Sequence, residues 1–530
     1  METYDYIVVG AGSAGCAIAT RLIEAGKSVL LLEAGLKDNT PLVHVPAMFF
    51  RLIGTKRFWM YESDPEQGLK DNRAFFIPQG KTVGGGSSVN AMIYIRGQKQ
   101  DYDDWAAMGC PGWGYDDVLP FFRKAERNER LAEPYHGTEG HLSVIDVRYR
   151  HPLGYAFLRA AQQAGLPYND DFNGENQEGV GFYQNTIDAA RRGSTAATYL
   201  KSVLGNPRLT LRTEALVSEI VMENGAAVGV RYGGKGEPGV EARAKEEVVL
   251  SAGALASPKL LLLNGIGPAR HLSEMGIGIR RELAGVGANF HDHVAAQVSV
   301  ELSQPLGFFG QDRGLKAIRH GLEYLLFRRG ILASNLLETG GFVSTDGTGR
   351  PDVQFHTIPV LSGDVGVLPP QMHGMVVSPC VLRPKSRGYV KLRSANPADQ
   401  VAFSPRVLTE REDVDTLIRG VRLARKIYRQ EAFKPLVKRE IAPGGPDDLD
   451  DARLEDHIRT VAKTVYHPAG SCKMGTDAMA VVDPQLRVIG VPRLRVADAS
   501  VMPLVTSGNT NAPSIMIGER CADFLLRAGG

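Results

Sequence analysis

Residues 6–35 read YIVVGAGSAGCAIATRLIEAGKSVLLLEAG, and this stretch decides the fold. An apolar strand, Tyr6 to Val9, runs into Gly10-x-Gly12-x-x-Gly15. A helix follows with Ala14, Ile18, Leu22 and Ala25 on one face, and Gly26 stops it. A second apolar strand, Val29 to Leu32, ends at Glu33 and Ala34. Strand, glycine turn, helix, strand and acid together form a β-α-β unit suited to a dinucleotide. Gly10 permits the tight turn, Gly12 lets the backbone approach a pyrophosphate, and Gly15 lets the helix pack close to the strand. The first turn, including Ser13 and Ala14, offers free N–H groups and a partial positive charge to phosphates. Glu33 can accept hydrogen bonds from ribose hydroxyls and would repel a 2′-phosphate.

Working outward, the 530-residue chain is long enough for more than one domain, with 43% hydrophobic and 23% charged residues. A net charge of +2 gives no sign of a nucleic-acid partner. Cys16, Cys110, Cys380, Cys472 and Cys521 are far apart and form no Cys-x-x-Cys pair, which predicts free thiols and no zinc site. The first strand begins almost at Met1, which leaves no room for a signal peptide, and no apolar run approaches the roughly 20 residues that span a bilayer. These features predict a soluble cytoplasmic protein.

Residues 209–221 and 247–251 read as strands. Between them, Gly234-x-Gly236-x-x-Gly239 repeats the glycine spacing, but it carries Pro238 and leads into alternating sequence with no helix behind it. A hairpin turn explains it better than a second nucleotide site. Residues 254–264 suggest a helix. Short strand-like runs over 352–394 and 400–408 predict a large, mostly antiparallel sheet. Residues 410–430 have a helical pattern, 493–503 a strand returning to the nucleotide unit, and Ser514–Arg527 a final helix. The expected fold class is α/β: a Rossmann-like cofactor domain, plus a substrate domain with an antiparallel sheet backed by helices. The cofactor domain is expected to be discontinuous (1–150, 205–295 and 455–530), with 151–204 and 296–454 forming the substrate domain.

Four ordered motifs carry a resemblance to the glucose–methanol–choline (GMC) oxidoreductase family that spans essentially the whole chain. They are the opening fingerprint; Gly80-Lys81-Thr82-Val83-Gly84-Gly85-Gly86-Ser87-Ser88-Val89-Asn90 with Tyr94 and Arg96-Gly97; Gly253 to Lys259 followed by Leu260 to Gly267; and Val465-Tyr466-His467-Pro468-Ala469-Gly470 with Gly508-Asn509-Thr510-Asn511-Ala512-Pro513. Val286-Gly287-x-Asn289-x-x-Asp292-His293 and Pro384 to Gly388 also look like family patterns. The resemblance implies an FAD-dependent enzyme that oxidises alcohols, similar to bacterial alcohol and choline dehydrogenases. Where the family usually shows Ser-Gly, this chain has Asn264-Gly265, with local consequences expected. Some relatives bond FAD through a histidine just before the motif asparagine. Here that position is Val89, so noncovalent FAD is expected.

The resemblance implies that Val83, Gly84, Gly85, Ser87, Ser88, Asn90 and Ala91 contact the flavin, with consecutive glycines lying flat against it and the serines and Asn90 adding hydrogen bonds. Asp498 and Ala499 resemble residues near the ribityl and pyrophosphate, and Ala215 to Val217 a backbone contact for adenine. His467 is the expected base: a neutral imidazole accepts a proton at neutral pH, and Pro468 restricts its backbone. Asn511 is the expected partner, donating to the substrate oxygen; its competing reading is a cap for the helix near Ser514. Asn509 is a weaker candidate for the same role, with a structural reading preferred. Tyr466 is a substrate candidate. Glu338 has two readings: a substrate-cavity carboxylate that attracts a cation such as choline and, preferred, a structural hydrogen bond or ion pair. His291 and His293 flank Asp292 but lack further ligands at metal spacing, so they are read as structural. Segment 313–332 is basic and amphipathic; a domain-surface helix is preferred over a peripheral contact with the inner membrane, where a quinone would lie.

The leading expectation is oxidation of a primary alcohol, aliphatic or aromatic, to the aldehyde. Electrons then pass to a quinone, another carrier or oxygen. Choline dehydrogenation is the first alternative. A hydroxynitrile lyase on the same fold, an NAD dehydrogenase using the opening fingerprint, and a non-catalytic flavin module are the others.

Overall fold

The computed structural model describes residues 2–234, 239–361 and 370–528. Its first sheet has seven strands. Leu209–Arg212, Val29–Leu32, Glu2–Val9 and Val240–Leu250 lie side by side and parallel, with Tyr6 opposite Val29 and Val9 opposite both Leu32 and Leu250. Leu494–Val496 adds a further parallel strand at the end of Val240–Leu250. Ala226–Gly233 and Leu216–Glu223 extend the sheet antiparallel. The strands Glu2–Val9 and Val29–Leu32 are buried on both faces at their C-terminal ends, so their apolar residues run on without alternation. The turn expected around Gly236 and Pro238 lies partly outside the described residues; its flanking strands pair antiparallel, with Tyr232 opposite Val240.

The nucleotide helix, Ser13–Glu24, ends at Ala25, and Gly26 takes the left-handed conformation (φ +79°) that stops it. The helix Ala256–Leu263 ends on Asn264, the residue that departs from the usual Ser-Gly. Asn264 Oδ1 accepts from Ile220 N (2.8 Å) while its Nδ2 donates to Leu260 O (2.8 Å), so the substitution ties the helix end to the neighbouring strand. The final helix runs Asn511–Ala528, three residues earlier than its sequence predicts. Pro513 falls in its first turn, where a missing N–H costs nothing.

The second sheet has eight strands. Val437–Ala442, Val298–Leu302, Gly374–Val381, Val353–Ile358, Thr339–Val343 and Gly179–Phe182 follow one another antiparallel. Two short strands, Val294–Ala295 and Lys463–Thr464, pair with each other and hang on Gly374–Val381 through Ala295 and Cys380. The helix Arg411–Tyr428 buries Val414, Leu417, Val421 and Ala424 against this sheet, with Gly420 over Pro379. The five cysteines are buried and unbonded to one another. Among the described residues no helix is long and apolar enough to cross a membrane.

Candidate active site

A cavity of about 1040 Å³ lies between the two sheets, at the large end of the range for small-molecule sites. Val9, Leu32 and Ser251, at the C-terminal ends of parallel strands, wall one side; Ala295, His356 and Ser378 of the antiparallel sheet wall the other. Ligands of open α/β sheets gather at that carboxyl edge.

Backbone geometry shapes the first wall. Gly10 has φ +103°, and a Cβ there would lie 2.4 Å from Ser251 O; a Cβ on Gly15 would lie 1.9 Å from Gly10 O. Gly12 instead meets nothing nearer than Ser251 O at 3.8 Å, so its open side faces the cavity. It precedes Ser13–Glu24 with no side chain capping the first turn, whose N–H groups are left for a ligand. The second glycine-rich segment closes on the first. Gly84 N donates to Ala11 O (2.7 Å), and a Cβ on Gly85 would lie 2.7 Å from Gly12 Cα. Gly86 opens onto free space. Glu33 lines the cavity and accepts from Ala11 N (3.1 Å) and Gly35 N (2.8 Å); burial pushes its carboxyl up to about 7 against those two bonds. An uncapped helix N-terminus, a bare glycine cradle and a buried acid fit a dinucleotide.

Of the residues expected at this wall, Gly10, Gly12, Ser13, Ala14, Glu33, Ala34, Gly85, Asn90, Ala91, Val217, Asp498 and Ala499 line the cavity. Gly15, Val83, Gly84, Ser87 and Ser88 stand behind it. The expectation that the two serine hydroxyls reach the cofactor is corrected: Ser87 Oγ donates to Gly84 O (2.6 Å) and Ser88 Oγ to Val83 O (2.7 Å), hydroxyls turned back onto the carbonyls of their own tight turn. Asp498 Oδ2 accepts from Gly253 N (2.8 Å) and Ser257 Oγ (2.5 Å), and its Oδ1 from Ser500 N (2.8 Å), so it knits three segments at the sheet's edge. Arg192 was not legible as a site residue. It is buried, and its Nη1 donates to Asn90 O (2.7 Å) and Asn90 Oδ1 (2.8 Å) while Nε donates to Val43 O (2.9 Å). Burial pulls it down to about 9. Nothing in Arg191-Arg192 says which of the pair turns inward.

At the second wall His467 is held from both ring nitrogens. Its Nδ1 lies 2.9 Å from His293 Nδ1, and His293 Nε2 lies 2.9 Å from Leu382 O. A carbonyl only accepts, so His293 carries its proton on Nε2 and presents a bare Nδ1. His467 must then donate from Nδ1, which leaves its Nε2 lone pair on the cavity side. Asn509 Nδ2 lies 3.1 Å from that Nε2, and Gln354 Nε2 donates to Asn509 Oδ1 (3.2 Å), fixing the amide's orientation. The backbone is pinned as well: Asp292 Oδ1 accepts from His467 N (2.8 Å), Asp292 Oδ2 from Thr464 Oγ1, and Tyr466 takes φ +69° between them. Burial, with His293 and His356 nearby, holds His467 well below the ordinary histidine value of 6.5. Burial also lowers His293 and His356 to about 4 and raises Asp292 to about 7.

Two further expectations, for Asn511 and His293, are corrected here. Asn511 does not meet His467. It is the first residue of the final helix, and its Oδ1 accepts from Ser13 Oγ (2.7 Å) at the nucleotide wall. Asn509, read as structural, holds the place expected for it. Glu338 is absent from the cavity wall: its Oε2 accepts from His151 N (2.7 Å) and its Oε1 from Ser334 Oγ (2.7 Å), and burial raises it to about 7. That agrees with the preferred structural reading. His293, also read as structural, instead touches His467; its signal lay 174 residues from its partner. His291 stays structural, with Nδ1 donating to Asn289 O (2.6 Å) and Nε2 accepting from Val505 N (2.8 Å). Tyr466 lines the cavity. The remaining wall is largely apolar, with Phe49, Ile53, Trp59, Phe308, Leu336 and Ile358. Its other carboxylates are engaged, Asp312 by Arg51 at 3.1 Å and Asp399 by Ser394 and Asn396.

Residues 4–295 and 384–518 match the two sequence models of GMC oxidoreductases. The chain is 42% identical over 533 residues to an alcohol dehydrogenase [acceptor] of Pseudomonas putida, covering 99% of this chain and 96% of the relative. It is equally 42% identical over 536 residues to the mitochondrial choline dehydrogenase of Mus musculus, covering 99% and 89%. Among solved structures it resembles pyridoxine 4-oxidase from Mesorbium loti, with TM-score 0.89, 29% identity and 98% of each chain covered. The chain therefore belongs to the GMC oxidoreductase family and is an oxidoreductase acting on CH–OH donors, a family whose cofactor is FAD.

Proposed function

We propose that this GMC oxidoreductase oxidises an uncharged primary alcohol, aliphatic or aromatic, to the aldehyde, with His467 as the base and Asn509 as its partner. The observation that carries the reading is the unprotonated Nε2 of His467, set on the wall of an apolar cavity by His293 at Nδ1 and by the Asn509 N–H that its lone pair accepts. Bound FAD supplies the acceptor for the hydride that leaves the alcohol's α-carbon with its bonding electron pair. The hydroxyl proton goes to His467 Nε2, displacing the Asn509 N–H from that lone pair, and the C=O bond forms from the O–H electrons. The Asn509 Nδ2 N–H groups then hold the developing alkoxide. The positive charge that forms on His467 is met by the His293 Nδ1 lone pair. Burial keeps His467 neutral, and so ready to accept, through the neutral pH range.

Residues Gly10 to Ala14, Glu33, Gly85, Gly86, Asn90 and Asp498 would hold the cofactor. Val89 lines the cavity with an aliphatic side chain that forms no bond to a flavin, which supports noncovalent FAD released on acid denaturation. Residues 1–150, 205–295 and 455–530 are read as the cofactor part and 151–204 with 296–454 as the substrate part. Val294–Ala295 and Lys463–Thr464 cross that division by joining the antiparallel sheet. Glu338's engagement away from the cavity argues against choline. The electron acceptor is a quinone, another carrier or oxygen.

The test is an anaerobic panel of alcohols followed at the flavin absorbance, then admission of oxygen or a quinone. Bleaching by neutral primary alcohols and not by choline is expected. A flavin left oxidised by every alcohol would overturn the reading and favour a lyase.

A further inference from the structure

The helix Gly314–Phe327 turns its apolar side outward. Leu315 is 84% exposed, Leu326 69%, Leu325 65% and Phe327 63%, with Ile318 and Leu322 above half. At 100° per residue, Leu315, Ile318, Leu322, Leu325 and Leu326 fall within an arc of about 100°. Phe50, from the neighbouring segment Pro46–Arg51, is also exposed. An apolar stripe of this length facing water marks a binding surface. The opposite side of the same helix carries Ala317 and His320, which line the cavity.

We propose that this face docks on an anionic phospholipid bilayer. Charge selects the occupant. Segment 313–332 carries Arg313, Lys316, Arg319, Arg328 and Arg329 against the single acid Glu323. A basic, amphipathic helix with leucine and phenylalanine on one side lies in the headgroup plane of a negative membrane. A second copy of this chain would bring like-charged flanks together instead, which opposes self-association. Position adds a consequence. A helix is about 10–12 Å thick, so docking puts the cavity wall one helix away from the acyl chains. Lipophilic alcohols and lipid-dissolved acceptors then reach the cavity from the bilayer. The surface stands on its own observations; only what it delivers rests on the alcohol reading.

The FAD-loaded full chain is floated with vesicles of equimolar phosphatidylglycerol and phosphatidylcholine, and with phosphatidylcholine alone. The wild type is expected to float with the anionic vesicles and to be released by salt. The double variant Leu322→Glu, Leu326→Glu should lower the partition coefficient roughly tenfold or more. Lys316→Gln with Arg319→Gln should lower it about fivefold per charge on anionic vesicles only. Anaerobic flavin reduction by a water-soluble alcohol, measured on the same samples, should match the wild type in both variants, so a failed alcohol reading is distinguished from a failed docking surface. Wild type that floats with neither vesicle, or leucine variants that float like wild type, would overturn the proposal. So would a lipid-free dimer that the leucine changes abolish, which would assign the face to a second copy.

Discussion

At the dinucleotide wall the decisive atoms are the ones left out. A Cβ on Gly15 would sit 1.9 Å from Gly10 O, and one on Gly85 would sit 2.7 Å from Gly12 Cα. At the base wall the decisive atoms are side chains joined end to end, from Gln354 through Asn509, His467 and His293 to the carbonyl of Leu382. The first wall tolerates no addition at Gly10, Gly15 or Gly85, and the second no removal. Steric fit of backbone is written into a short stretch of chain, whereas a hydrogen-bond chain draws on segments hundreds of residues apart.

That contrast can be broken by substitution. The largest effect is expected from His467→Ala, which should slow anaerobic flavin reduction by roughly two to four orders of magnitude with FAD still bound. An unchanged rate would remove the base. Asn509→Ala should cost roughly a hundredfold or more in the same rate, while Asn511→Ala, acting at Ser13, should weaken FAD retention more than the rate. The reverse order would restore Asn511 as the partner. His293→Leu leaves His467 without an acceptor for its Nδ1 proton, and a lowering of up to about a hundredfold is expected. It should also alter the pH profile, which a merely structural change would leave in place. Gly85→Val should spare the base wall and lose FAD, seen as colourless protein after gel filtration.

The smallest effect concerns pH. The depressed histidines give the second wall its own acid sensitivity. Unfolded histidines bind protons below about 6.5, whereas His293 and His356 in the folded chain do so only near 4. Their neutral burial therefore costs stability as pH falls from 6.5 toward 4. Glu33 has the opposite sign: folded, it keeps its proton up to about 7, so its contribution is present at low pH and lost as pH rises to that value. His356→Leu should gain on the wild type in urea midpoint as pH drops through that window. A constant gap between the two would show that His356 is not buried neutral.

The same contrast explains what could be read from the chain. Residues 6–35 carry every element of the nucleotide unit, and the helix and strands form where the apolar spacing and glycines require. The antiparallel sheet and the helix Arg411–Tyr428 were legible for the same reason. The choice between Asn509 and Asn511 was not, because both lie in one Gly508-Asn-Thr-Asn turn. It depends on the helix starting at Asn511, which turns that side chain onto Ser13, and on Gly508 at φ +137° packing over Ile95. His293 was missed because its role exists only once strands Val294–Ala295 and Lys463–Thr464 pair. The inward turn of Ser87 and Ser88 depends on which carbonyls the tight turn brings within reach of their hydroxyls.

The imidazole chain ends on Leu382, a main-chain carbonyl rather than a carboxylate. For an incoming proton that terminus is a dead end, since an amide oxygen has no stable acid form near neutrality. On the proposed chemistry, whatever His467 takes from one alcohol must leave by the door it entered, over the cavity and out with the product, before another turnover can begin.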